Sequence, residues 1–236
     1  MYPLYLEFKK LNRKLLLFVV LGFSSIPFLA TMLFLVVDKA SFTDLPLSLI
    51  ASNNVGTWSA LLYPLLVLVM VQALVEAERK AKLFTYGRSY RRAWFDLLWR
   101  KAAVVFGLLL LVTALNLIYN FLLLQTASEF MEAANLGELQ RESSLNFIAL
   151  LFSFIPLIFF QLMLSILVKK TGISYLLSIL LLILGIPIAN LTNIMVNPFS
   201  FGIAVMKPGV GLFSLVPIGT LVILISIFVA NYTLKK

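Results

Sequence analysis

Long apolar runs, broken at intervals by short polar or charged stretches, dominate the chain. Six runs stand out: Leu15–Val37, Trp58–Val75, Ala102–Leu124, Leu145–Val168, Ile173–Val196 and Leu212–Ala230. None contains Asp, Glu, Lys or Arg. About 20 apolar residues wound as a helix cross the roughly 30 Å of bilayer hydrocarbon, so each run predicts a membrane span. The first run is longer than the apolar core of a signal peptide and lacks a small-x-small cleavage site, so it is expected to be a retained helix.

The polar stretches carry patterns of their own. In YPLYLEFKKLNRK, Leu4, Tyr5, Phe8, Leu11 and Leu15 form one apolar stripe, while Lys9, Lys10, Arg13 and Lys14 face away from it. Residues 1–14 therefore predict a helix lying in the headgroup layer. Residues 76–101 form the longest charged stretch, and Glu76–Lys80 and Glu78–Lys82 are i,i+4 pairs in the favourable order. Gly87 suits the end of a first short helix and Ser89 the cap of a second. Tyr90, Trp94 and Leu98 share a face of that second helix, and Asp96 lies four residues from both Arg92 and Arg100. A helix–turn–helix along the membrane surface is expected there. Residues 38–57 and 125–144 read as loops, the second partly helical, with Glu129, Glu132, Glu138 and Glu142. In 190–211, Asn, Pro and Gly interrupt an apolar sequence, which predicts a broken-helix or re-entrant segment over 197–211. No internal repeat is evident.

The location of the cations gives an orientation. With the N-terminus inside, only Lys39, Arg141 and Lys207 lie outside, leaving 16 of the 19 Lys and Arg residues on the inner face. The positive-inside rule then places both termini in the cytoplasm and makes 76–101 the one long cytoplasmic loop. The net charge of +9 belongs to this bias rather than to nucleic-acid binding.

Composition narrows the chemistry. Only 12% of residues are charged, 61% are hydrophobic, and the mean hydropathy is +1.02. With no Cys and no His, thiol chemistry, His-based triads and nearly all transition-metal sites are excluded. No Lys falls in a span to act as base for a Ser or Tyr nucleophile, so an intramembrane enzyme is not expected. A charge at mid-membrane costs about 2.5–3.5 kcal/mol on insertion scales and is kept where it works. Ion-coupled carriers usually keep one, and these spans hold none. Any transport would then draw its energy from another subunit. The polar groups of the spans, Asn116, Asn120, Gln161, Asn190, Asn193 and Gln72, are candidates for interhelical hydrogen bonds or, for the first five, a substrate path.

Several of these stretches resemble those of a known family. EFKKLNRKLLLFVV before the first span, EAERKAKLFTYGRSYRRAWFDLLWRK between the second and third, the six-span count, and NPFSFGIAV between the fifth and sixth together resemble the permease subunits of ABC-2 type exporters. Within that family the chain resembles the compact group linked to bacteriocin, lantibiotic and bacitracin immunity or peptide-toxin export. The chain departs from the family pattern in having Gly87 where Pro is frequent, and AKLF where Trp often precedes the turn.

The resemblance implies one all-α permease domain over residues 1–236. It comprises an elbow helix (1–14), six transmembrane helices (15–37, 58–75, 102–124, 145–168, 173–196 and 212–230), a coupling helix in 76–101 and re-entrant helices in 197–211. Glu76 or Glu78 would take the family's acidic position and Lys101 its closing lysine. Contacts to the ATP-binding subunit would fall on Glu76, Glu78, Arg79, Lys82, Phe84, Tyr86, Arg88, Tyr90 and Arg91. The implied partners are two cytoplasmic ATP-binding subunits, which would hold ATP and Mg, and a second permease chain, identical or related, in a bacterial plasma membrane. This chain has no GxxxxGK[ST] sequence and would bind no cofactor itself. The competing expectation, from a different class, is a non-transporting scaffold that recruits a cytoplasmic protein through residues 76–101.

Overall fold

The computed structural model describes residues 13–37, 46–80, 91–129, 135–168, 170–191, 197–206 and 212–233. Every regular element among them is helical. The order is α1 (Arg13–Val37), α2 (Leu47–Thr57), a π turn (Trp58–Leu62), α3 (Tyr63–Lys80), α4 (Arg91–Ser128), α5 (Leu136–Ser153), α6 (Ile155–Leu167) and α7 (Thr171–Leu191). A 3-10 turn (Pro198–Ser200), α8 (Phe201–Val205) and α9 (Leu212–Thr233) complete it. Four stretches of the described residues are long and apolar enough to cross a membrane: Leu17–Val37, Leu47–Arg79, Leu98–Ser128 and Leu136–Leu167. Two further apolar helical stretches, Thr171–Pro187 and Leu215–Ala230, are shorter.

The second span begins eleven residues earlier than the hydrophobic pattern suggests, because α2, the π turn and α3 run on as one helical path. Pro64 gives the physical reason for the π turn. Its ring has no N–H to donate and would crowd the carbonyl of residue 60 in a regular α-turn. The wider turn relieves this, with Tyr63 N–H bonding Trp58 O five residues back. The fourth span is likewise two helices. Pro156 sits in the first turn of α6, and the chain breaks at Phe154, whose φ, ψ of −91°, −2° ends α5. The expected outer loops 38–57 and 125–144 are accordingly helical over 47–57, 125–128 and 136–144.

α3 occupies the centre. Tyr63, Leu66, Val67, Met70, Val71, Leu74 and Val75 are all buried, against Val104, Val105, Leu108, Leu109 and Val112 of α4 and Leu157, Ile158 and Leu162 of α6. α1 lies at the periphery along α4, and α9 packs along α6. Outward faces are apolar rather than polar: Phe18 is 70% exposed, Leu176 68% and Phe228 72%. Contiguous surface of this kind suits lipid, not water.

Two glycines give opposite expectations. A Cβ on Gly219 of α9 would stand 2.8 Å from Pro156 Cγ, so the helices meet there only because the side chain is a hydrogen. Gly107 of α4 has nothing within 4 Å of its Cβ position. Gly219→Leu should destabilise the bundle by about 1–3 kcal/mol through overpacking. Gly107→Ala should be neutral or stabilise by up to about 1 kcal/mol through helix propensity. Thermal unfolding of the detergent-solubilised chain separates the two, and equal melting temperatures would contradict the α6–α9 packing.

The expected re-entrant segment is partly described. Asn197 caps the 3-10 turn by accepting from Phe199 N–H at 3.1 Å, and its amide donates to Leu181 O of α7 at 2.9 Å. Gly185 makes room for it: a Cβ there would meet Asn197 Nδ2 at 2.8 Å. Phe199 and Phe201 are buried beneath, so this short helical pair is seated on the bundle rather than splayed from it. Residues 207–211, most of the expected surface helix 1–14 and the turn around Gly87 and Ser89 lie outside the described residues.

Candidate functional site

The C-terminal ends of α3 and α6 gather with the N-terminal parts of α4 and α7. Apolar runs bring these helices together, and three charged side chains tie them. Lys101 of α4 is buried with its partner: its Nζ lies 3.0 Å from Glu78 Oε1 of α3, and the two side chains are only 2% and 1% exposed.

 The ammonium also donates to Leu74 O at 3.3 Å, one turn back along α3. It thus sits between two successive turns of the central helix. The sequence placed Glu78 and Lys101 at opposite ends of the 76–101 stretch, and the fold brings them into contact.

Arg79 faces the other way. Its guanidinium donates to Ser165 O, to Val168 O at 2.7 Å and to Thr171 Oγ1 at 3.3 Å. The last carbonyls of a helix have no partner within it, and their dipole favours a cation. Arg79 therefore holds the end of α6 and the first turn of α7 together. Glu76 is half-buried on the same helix, and Arg91 opens α4. Lys82, Phe84, Tyr86, Arg88 and Tyr90 lie outside the described residues.

The amide candidates divide into two separate networks. At the far end of the bundle, Asn54 Nδ2 donates to Asn120 Oδ1 at 3.0 Å, and Asn120 Nδ2 donates to Ser143 Oγ at 2.9 Å, joining α2, α4 and α5. Tyr63 OH and Thr113 Oγ1 stand 2.5 Å apart one or two turns further in, on the same side as buried Asn116. Nearer the charged end, Gln72 of α3 donates to Ser174 Oγ of α7, and Ser178 Oγ donates to Gln161 Oε1 of α6 at 3.0 Å. About 18 residues of helix, or roughly 27 Å, separate the level of Asn54 from that of Gln72. Asn120 thus belongs to one network and Gln161 to the other, while Asn116 is buried on α4 one turn from Asn120. Asn190 lies on α7, and Asn193 is outside the described residues.

Sequence reasoning missed Asn54, Tyr63, Ser143, Ser165, Ser174 and Ser178. Part of the signal was present. Ser174–Ser178 and Gln161–Ser165 are i,i+4 pairs, which puts each pair on one helix face. Compared with protein-family models, curated proteins and solved structures, the chain matches none.

Proposed function

We propose that the protein is the permease subunit of an ATP-driven exporter of the ABC-2 type. It would move a hydrophobic or amphipathic substrate, a peptide above all, out of a bacterial plasma membrane. In this reading the chain has six spans, with α7 and α9 as the fifth and sixth, cytoplasmic termini, an interfacial elbow before α1, and a re-entrant pair at Pro198–Val205. Two ATP-binding subunits press on residues 76–101, and a second permease chain completes the pathway.

The observation that carries the proposal is the buried Glu78–Lys101 pair, which joins α3 to α4 across the 76–101 segment beside the Arg79 bridge. A force applied to that segment passes into α3 and α4 through the pair. It passes into α6 and α7 through Arg79. A flexible lipid tether would need no such joints.

Replacing Lys82, Phe84, Tyr86 and Arg88 together should abolish substrate-stimulated ATP hydrolysis in the solubilised complex while leaving the chain folded. Isolation of the native complex without an ATP-hydrolysing partner, or transport by the lone chain in sealed vesicles with no nucleotide hydrolysed, would overturn the proposal. Loss of a bound cytoplasmic protein with ATP hydrolysis unchanged would favour the scaffold instead.

A further inference from the structure

The seam between α3, α6 and α7 carries buried polarity that its own contacts do not use up. Gln72, Gln161 and Ser165 are each fully buried, yet Gln72 Oε1, Gln161 Nε2 and Ser165 Oγ have no hydrogen-bond partner. Turning either carboxamide by half a turn exchanges its oxygen and nitrogen but still leaves one of the two unpaired. An unmet polar atom among apolar helices is costly, and most buried polar groups have partners. Three within two helical turns, on a seam fastened at one end by Arg79, call for a ligand.

The unpaired set has a definite chemistry. It offers one acceptor, one donor and one hydroxyl that can be either. A peptide amide presents the complement, an N–H and a C=O on one rigid unit. None of the three groups is charged, so a cation, a phosphate or a carboxylate would leave its charge unanswered there. We propose that this seam opens to bind the backbone amide of an extended, uncharged peptide segment, with Arg79 as the latch that closes it. The proposal rests on the transport reading and names the substrate chemistry of that pathway.

The chain has no cysteine, so an engineered thiol is its only one. Ser174→Cys, or Ser178→Cys if the first fails to insert, is tested in the full chain in native membranes with a hydrophilic methanethiosulfonate reagent. Ser24→Cys, equally buried on α1 away from the seam, is the reference. The seam cysteine should react about tenfold faster than the reference, and faster still with Arg79→Ala. An end-blocked apolar hexapeptide should slow the reaction. Its analogue with alternate amides replaced by esters should protect about tenfold more weakly, the loss expected for one hydrogen bond to a buried group. Reaction no faster than the reference in both backgrounds overturns the proposal. So does labelling that the peptide leaves unchanged, or equal protection by the ester analogue. No nucleotide or partner subunit enters the measurement, so it stands apart from a failure to find an ATP-binding partner.

Discussion

Replacing Glu78 by alanine should destabilise the chain by about 3–5 kcal/mol, the cost of stranding one buried charge by removing its partner. Lys101→Met should do the same from the other side. Both side chains are almost wholly removed from solvent, and the Leu74 carbonyl at 3.3 Å from Lys101 Nζ carries no charge to replace the carboxylate. The double variant Glu78→Leu with Lys101→Met should recover most of the loss, because a well-packed apolar pair often matches or exceeds a buried ion pair. Thermal unfolding followed by tryptophan fluorescence reads all three. Equal losses in the two single variants and the double would show that volume, not charge, governs the site. A double variant that is stable but no longer couples substrate to ATP hydrolysis would separate the pair's mechanical role from its contribution to the fold.

The long helices were legible because lipid imposes a simple rule: an apolar run of sufficient length must satisfy its backbone internally. Their ends were not. Ser52, Asn53, Asn54, Gly56 and Thr57 look like loop, yet they lie in α2, where Asn54 meets Asn120 and the hydroxyls of Ser52 and Thr57 bond carbonyls of their own helix. Tertiary pairing held residues of poor helix propensity in a helix, and the back-bonds satisfied their hydroxyls. The break at Phe154 was readable in principle from Pro156, whose ring suits a first turn but not an interior. The buried pair was half legible. Glu78 and Lys101 each stood out, but 23 positions separate them, and only the return of α4 against α3 makes them neighbours. Gln72 and Gln161 were visible as polar residues in apolar runs. Their division from Asn116 and Asn120 depends on which helices face each other, which periodicity within a single helix does not encode.

Tyr63 carries the second large effect. Both backbone irregularities of the central spans converge on it: the π turn ends at Tyr63, and Phe154, where α5 gives way to α6, packs on its ring at 5.5 Å. Trp58, the first residue of the π turn, lies 5.1 Å from it on another side, and the phenol oxygen meets Thr113 of α4. The ring therefore fixes the register of three helices at once. Tyr63→Ala should cost about 3–5 kcal/mol, the range for removing a buried aromatic ring. Lipid in place of water weakens the transfer part of that cost, but the cavity and the lost dispersion contacts remain. Tyr63→Phe, which keeps the ring and loses one hydrogen bond, should cost about 0.5–1.5 kcal/mol. An apolar cavity of this kind stays dry and takes small aromatic molecules, so added benzene should restore part of the stability of the alanine variant and none of that of the phenylalanine variant. If the phenylalanine variant unfolds as readily as the alanine one, the hydroxyl link to Thr113, rather than the ring, joins the π turn to α4.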